Sequence, residues 1–262
     1  MVMIRTQQIS LLLCLLFSWT AQATEAFTIP TPRGELIEII VDQPEKHDKS
    51  VTREKLPTVI LASGSGYHAR LPLLEKLAAT LRNQGFGVIR FNWAYYVKDP
   101  VQGKQSASRI AELEDIDTAI AFASKQDWVD TKNIVIGGKS LGSIIVWQTF
   151  RKHPELKAAL LLTPVCQTPA ITEANYPEVN AEARPSAWIL GNNDSVCPSP
   201  ALYRLIGSTG NQARVITLGG DHSFAFLPKD SDEAILQQNH TIDLAADIAT
   251  DFIRSSISQP AK

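Results

Sequence analysis

Ser140 lies at the centre of Gly138-Lys139-Ser140-Leu141-Gly142, between the apolar run 134–136 and a second apolar run at 144–147. A G-x-S-x-G between a buried strand and a helix can hold a serine on a sharp, strained turn, with small residues on either side relieving the crowding. A serine hydroxyl is a weak nucleophile at neutral pH. Acyl transfer therefore needs a base within hydrogen-bond reach and a third group that fixes the base's tautomer. The same turn could instead cradle a phosphate on free backbone N–H groups, so the pentapeptide alone leaves two chemistries open.

Two further segments narrow the choice. Gly191-Asn192-Asn193-Asp194 directly follows the apolar run 187–190, and Gly219-Gly220-Asp221-His222-Ser223-Phe224 directly follows 215–218. Of the five histidines, His222 is the candidate base. His47, His153 and His240 lie in charged or polar surroundings that suit surface or capping roles. Asp194 is the candidate acid; Asp221 is the alternative, but it is badly placed to meet the ring of its own neighbour. Asp115 and Asp117 fall in an amphipathic stretch and read as solvated.

A developing oxyanion needs two donors. A helix starting at Leu141 would supply one backbone amide together with its positive end. The second is expected from Ser63-Gly64-Ser65-Gly66, with Ser65 the choice and Gly66 the runner-up, since glycines allow close backbone approach. Gly66, Tyr67, His68 and Trp93 are candidates to line the substrate. Trp93, Tyr95 and Tyr96 either wall an acyl group or pack against the helix after Ser140. Lys139 either steers an anionic substrate or, more simply, points to solvent.

These residues must be carried by a scaffold that brings three loops together. Short runs rich in Val, Ile and Leu alternate with longer amphipathic stretches, the pattern of βαβ units around a parallel sheet. Residues 27–29 and 35–41 read as a hairpin, followed by a solvated loop over 42–55. Strands are expected at 58–62, 88–93, 134–136, 158–162, 187–190 and 215–218, and helices at 71–83, 108–126, from 141 to Arg151, and 242–257. Serine, Asp194 and His222 then all fall at the C-terminal ends of strands, where such sheets place ligands. The stretch between the strands at 158–162 and 187–190 is too short for a sizeable lid domain, so an open pocket is expected.

Residues 1–23 read as a secretory signal peptide: Arg5 gives a positive start, 11–19 an apolar run of about half a membrane span, and Ala21-Gln22-Ala23 a small-x-small cleavage site. The mature chain, 24–262, is expected to be one domain, exported to the periplasm or beyond, with no stable membrane anchor after cleavage. A net charge of -2 without a basic stripe gives no electrostatic case for nucleic acid or anionic membranes, and a small acyl compound is the expected partner. Cys166 and Cys197 would remain after cleavage, and an oxidising compartment favours their pairing if they meet. No cysteine and histidine spacing suggests a metal, and no cofactor is expected.

Across nearly the whole mature length the chain resembles the α/β-hydrolase superfamily. Leu61 to Gly66 (Leu-Ala-Ser-Gly-Ser-Gly), Gly85 to Asn92, Gly137 to Gly142 and Gly219 to Phe224 look like small dienelactone-hydrolase-like members, nearest to predicted hydrolases of the testis-expressed-protein and nonspecific-lethal-complex-subunit type. The resemblance implies a sheet of about eight mostly parallel strands flanked by helices, and Ser140, Asp194 and His222 as a catalytic triad in the family's chain order. Such a site cleaves an ester, thioester or small amide without a cofactor. A peptidase on short peptides, or a binding protein that keeps the fold without turnover, are the competing expectations. One departure stands out: Ser63-Gly64 replaces the family's usual His-Gly, which bears on the shape of the oxyanion loop.

Overall fold

The computed structural model describes residues 24–44, 54–207 and 212–257. The signal-peptide reading of 1–23, and His47, lie outside the described residues. The first two strands, β1 (Glu25–Pro30) and β2 (Leu36–Asp42), form the expected antiparallel hairpin. Its turn uses Gly34 at φ +84°, a conformation that glycine adopts without a Cβ penalty.

Six more strands follow: β3 (Leu56–Ala62), β4 (Gly87–Asn92), β5 (Val129–Lys139), β6 (Ala158–Leu162), β7 (Ser186–Gly191) and β8 (Ala213–Leu218). All eight join one sheet in the order β1-β2-β4-β3-β5-β6-β7-β8. Neighbours are parallel from β4 through β8, whereas β2 runs antiparallel to β4. The central strands are covered on both faces, which is why they read as continuous apolar runs rather than alternating ones. The edge strand β8 is half-exposed and reads less clearly.

Helices cover both faces. α1 (Pro72–Asn83) and α7 (Asp232–Ile257) pack on one side through Leu74, Leu77, Ala245, Ala249 and Ile253. α3 (Ile110–Ser124) and α4 (Leu141–Lys152) pack on the other, around Ile116, Ile145, Trp147 and Phe150. Burial of side chains of this size stabilises by about 1.5–3 kcal/mol each, so the two apolar layers fix the sheet between them. No sizeable lid interrupts it. Between β6 and β7 lie only α5 (Pro169–Asn175) and one 3-10 turn (Val179–Ala181). Among the described residues no helix is long and apolar enough to cross a membrane.

The chain leaves β3 toward β4 on one side and returns to β5 on the other. Ligand crevices in open α/β sheets form at such a reversal, outside the carboxyl ends of the strands. Here that point is bounded by the loop after Ala62 and by Ser140.

Three short helices, α2 (Ala94–Lys98), α5 and α6 (Ser199–Ile206), escape the sequence reading because none has a long period to detect. α7 starts at Asp232, ten residues before the expected 242. Its first turns bury little beyond Ala234 and so lack an apolar stripe. They are held by Ser231, whose Oγ accepts from the Ala234 amide at 3.1 Å, and by Asp232 and Glu233 at the positive helix end.

Candidate active site

Ser140 adopts φ +53° and ψ -116°, a left-handed region that a side chain rarely occupies. Holding it there costs about 1–3 kcal/mol, and the surrounding contacts explain why it persists. Its N–H donates to Leu162 O at 2.9 Å, and its carbonyl accepts from both the amide of Ser143 (2.9 Å) and the Ser143 hydroxyl (2.6 Å). A Cβ on Gly142 would lie 2.7 Å from the carbonyl oxygens of Ala62 and Ser63, and one on Gly138 would collide with Gly142. Both glycines of the motif are therefore required by space.

His222, on the loop after β8, points Nε2 at Ser140 Oγ across 2.9 Å and Nδ1 at Asp194 Oδ2 across 2.8 Å. A carboxylate only accepts, so Nδ1 carries the proton and Nε2 is free to accept from the serine. The other carboxylate oxygen of Asp194 accepts from the amides of Val196 (2.8 Å) and Cys197 (3.1 Å). Cys197 is disulfide-bonded to Cys166, with the two Cα atoms 4.4 Å apart, so the turn that aims Asp194 is tied to the loop that follows β6. Asp221, the alternative acid, shapes its own turn instead: it accepts from the amides of Ser223 and Ala225 and pairs with Lys229 at 3.0 Å.

The loop after β3 reaches Ser140. A Cβ on Gly64 would stand 3.2 Å from Ser140 Cβ and 3.2 Å from Lys139 O, so the backbone approaches that closely only with glycine. Ser65 and Gly66 are exposed at the mouth, and Ser65 Oγ donates to Gln105 Oε1 at 2.9 Å. Tyr67 and His68 are half-buried behind them. His68 stacks on Tyr96 with ring centroids 5.6 Å apart. The loop's far end is fastened from below: Asn92 Oδ1 accepts from the Ala69 amide (2.8 Å), and Arg90, paired with Asp42 inside the protein, donates to Ala69 O (2.6 Å).

Three expectations are corrected. Trp93 does not line the substrate: it is fully buried, donates from Nε1 to Ser63 O at 2.8 Å and meets Phe91 edge-on, so it shapes the loop from beneath. Lys139 does not face solvent. It is 3 % exposed, donates to the carbonyl of His222 at 3.1 Å and sits 4.8 Å above the Tyr67 ring. Burial lowers its pKa to about 8, against the opposing fields of Asp194 and Asp221. Asp115 is also buried rather than solvated, accepting from the Ala94 amide (2.9 Å) and from Arg33 (2.5 Å), and desolvation raises its pKa.

Sequence reading passes over Tyr176 altogether. Fully buried, it accepts from the Val165 amide at 2.7 Å and lies 2.8 Å from Ser143 Oγ. Nothing in its local sequence marks it, since its partners come from two other elements.

A family model described as an alpha/beta hydrolase domain matches residues 55–254. The chain belongs to the α/β hydrolase family. The quorum-quenching protein AidA of Acinetobacter baumannii (strain MDR-ZJ06) is 28% identical to this chain over 116 residues; the match covers 44% of this chain and 38% of AidA. The chain thus spans well under half the length of that relative. Among solved structures, Est1E from Butyrivibrio proteoclasticus superposes with a TM-score of 0.67 at 18% identity, over 89% of this chain and 99% of that one. XC6422 from Xanthomonas campestris, described as an α/β serine hydrolase without lid, gives 0.66 at 16% identity, over 92% and 98%. At such identities the likeness is one of fold. It matches the α/β hydrolase sheet and the absence of a lid described above.

Proposed function

We propose that this α/β hydrolase is an exported serine hydrolase that cleaves a small ester or thioester through an acyl-serine intermediate. The observation that carries the reading is the line Ser140 Oγ, His222, Asp194, with successive contacts of 2.9 and 2.8 Å. His222 Nε2 takes the hydroxyl proton as Ser140 Oγ bonds to the acyl carbon, while Asp194 stabilises the imidazolium that forms. The carbonyl π electrons move to oxygen. Two amides receive that charge: Leu141, which opens α4 and so has no partner within the helix, and Ser65 from the facing loop. The tetrahedral carbon then expels alcohol or thiol, which takes the proton from His222. Water repeats the sequence, with His222 as base, and releases the acid.

The open mouth, without a lid domain, favours a small acyl group with a leaving group that extends into solvent. Export is supported by the Cys166–Cys197 disulfide, since such bonds persist in oxidising compartments. Est1E has also been solved with ferulic acid bound, so aromatic acyl esters belong beside p-nitrophenyl acetate and butyrate in the first panel.

A fluorophosphonate probe tests the proposal directly. Folded wild type should be labelled and turn over the nitrophenyl esters, while Ser140→Ala should do neither. An unlabelled, folded wild type, or equal ester turnover by Ser140→Ala, would instead indicate a binding protein on a hydrolase fold. Turnover of short peptides in preference to esters would point to an amidase.

A further inference from the structure

Lys139 occupies the variable position just before the nucleophile, yet its ammonium is among the least exposed charges in the molecule. Its partners are a backbone carbonyl and an aromatic face rather than a carboxylate. Burying a charge without an ionic partner is costly, and methionine or leucine would fill the same space without that cost. The charge is placed where four loops meet. It belongs to the end of β5; it bonds His222 O on the loop after β8; it caps the Tyr67 ring on the loop after β3; and it feels Asp194 on the loop after β7.

We propose that Lys139 is a positioning residue, whose ammonium clamps the backbone of His222 so that the imidazole stays aligned between Ser140 and Asp194 through both half-reactions. This rests on the acyl-serine reading given above. The imidazole is held by single hydrogen bonds at each nitrogen, and it must keep its place while its charge changes. Fixing the carbonyl of the same residue removes rotation of the loop about the Gly219-Gly220 turn. A charged N–H donor holds that carbonyl roughly twice as strongly as a neutral one, and cation–π contact with Tyr67 ties the base loop to the oxyanion loop. Being buried, Lys139 does not contact substrate, so its removal should act on turnover rather than on binding.

The groups that face Lys139 are Tyr67, Asp194, Asp221 and His222, and Asp221 is itself paired with Lys229. The two carboxylates hold the ammonium's proton on, while burial removes it at about pH 8. Tyr67, whose own pKa burial raises to about 12, stays neutral throughout. Above about pH 8, therefore, the clamp weakens in the wild type.

The test compares the rate of fluorophosphonate labelling, and kcat and KM for p-nitrophenyl acetate, in wild type, Lys139→Met and Lys139→Arg. Failure of the acyl-serine reading is seen first and separately, as absence of labelling in the wild type. With labelling present, Lys139→Met should lose about 100-fold in labelling rate and kcat at pH 7, with KM within about twofold. Wild-type labelling should fall through a step near pH 8, a step that Lys139→Met lacks and that Lys139→Arg, which stays charged, moves to higher pH. Labelling by Lys139→Met within about threefold of wild type, with an unchanged pH profile, would overturn the proposal. Should neither variant fold, the milder Lys139→Gln, which removes the charge, decides in the same assay: a labelling rate at pH 7 within about threefold of wild type overturns the proposal.

Discussion

Tyr176 holds its hydroxyl 2.8 Å from Ser143 Oγ, and that contact sets the direction of the protons leading to the Ser140 turn. The tyrosine oxygen already accepts from the Val165 amide, so its proton goes to Ser143, whose own proton goes to Ser140 O. Burial raises the Tyr176 pKa far above its ordinary value, so the chain stays neutral and keeps this direction at any working pH. Tyr176→Phe leaves the Val165 amide and Ser143 without this partner. The expected loss is about 1–3 kcal/mol of stability, or about 2–4 °C in Tm per kcal/mol. Thermal unfolding measures it, and a Tyr176→Phe protein melting with wild type would show that these hydrogen bonds do not hold the Ser140 turn.

Asp194→Asn keeps the shape of the acid and removes its charge. The amide can then donate to Nδ1, which favours the tautomer with the proton on Nε2, where it faces Ser140 Oγ instead of accepting from it. A fall in kcat of about 10³–10⁴ is expected, with little change in KM. Steady-state ester hydrolysis reads both. A loss smaller than tenfold would move the acid's role elsewhere, with Asp221 the first position to examine.

Much of this site could be read from the chain, because its parts are marked locally. Glycines flank Ser140, and an apolar run precedes each of Ser140, Asp194 and His222. What escaped reading depends on distant partners. Lys139 and Asp115 look like surface charges because a sequence window shows only their neighbours, whereas their partners stand 83 and 82 residues away. Trp93 looked like a wall of the pocket for the same reason: its indole N–H is claimed by Ser63, 30 residues earlier. The short helices α2, α5 and α6, and the polar start of α7, carry too few buried residues to produce a period.

The disulfide should matter twice. It closes a loop of 31 residues, for which chain entropy gives about 3–4 kcal/mol of stabilisation. It also anchors Cys197, whose amide helps hold Asp194. Guanidinium unfolding with and without reductant, with thiol alkylation followed by mass, should show the stability loss and a parallel fall in kcat. Full activity in material with both thiols alkylated would separate the bond from the site.

Lys139 should also leave a signature in stability whose sign is opposite to that of an ordinary ion pair. Its folded pKa, about 8, lies below the ordinary lysine value of 10.5. Between those limits the unfolded chain binds the proton and the folded chain does not, so stability from this group rises with pH across that window and is lost as pH falls through 8. The shift corresponds to about 3 kcal/mol. Lys139→Met has no such proton to lose. At pH 7 the variant should unfold at a denaturant concentration no lower than wild type, despite its slower labelling, and by about pH 10 wild type should have gained on it. Denaturant titrations of both proteins at the two pH values give the difference directly, with the titration of other groups cancelling between them. A gap between the two proteins that does not change with pH would mean that Lys139 keeps an ordinary pKa. A clear loss of stability in Lys139→Met at pH 7 would mean that the ammonium serves the fold more than it serves the alignment of His222.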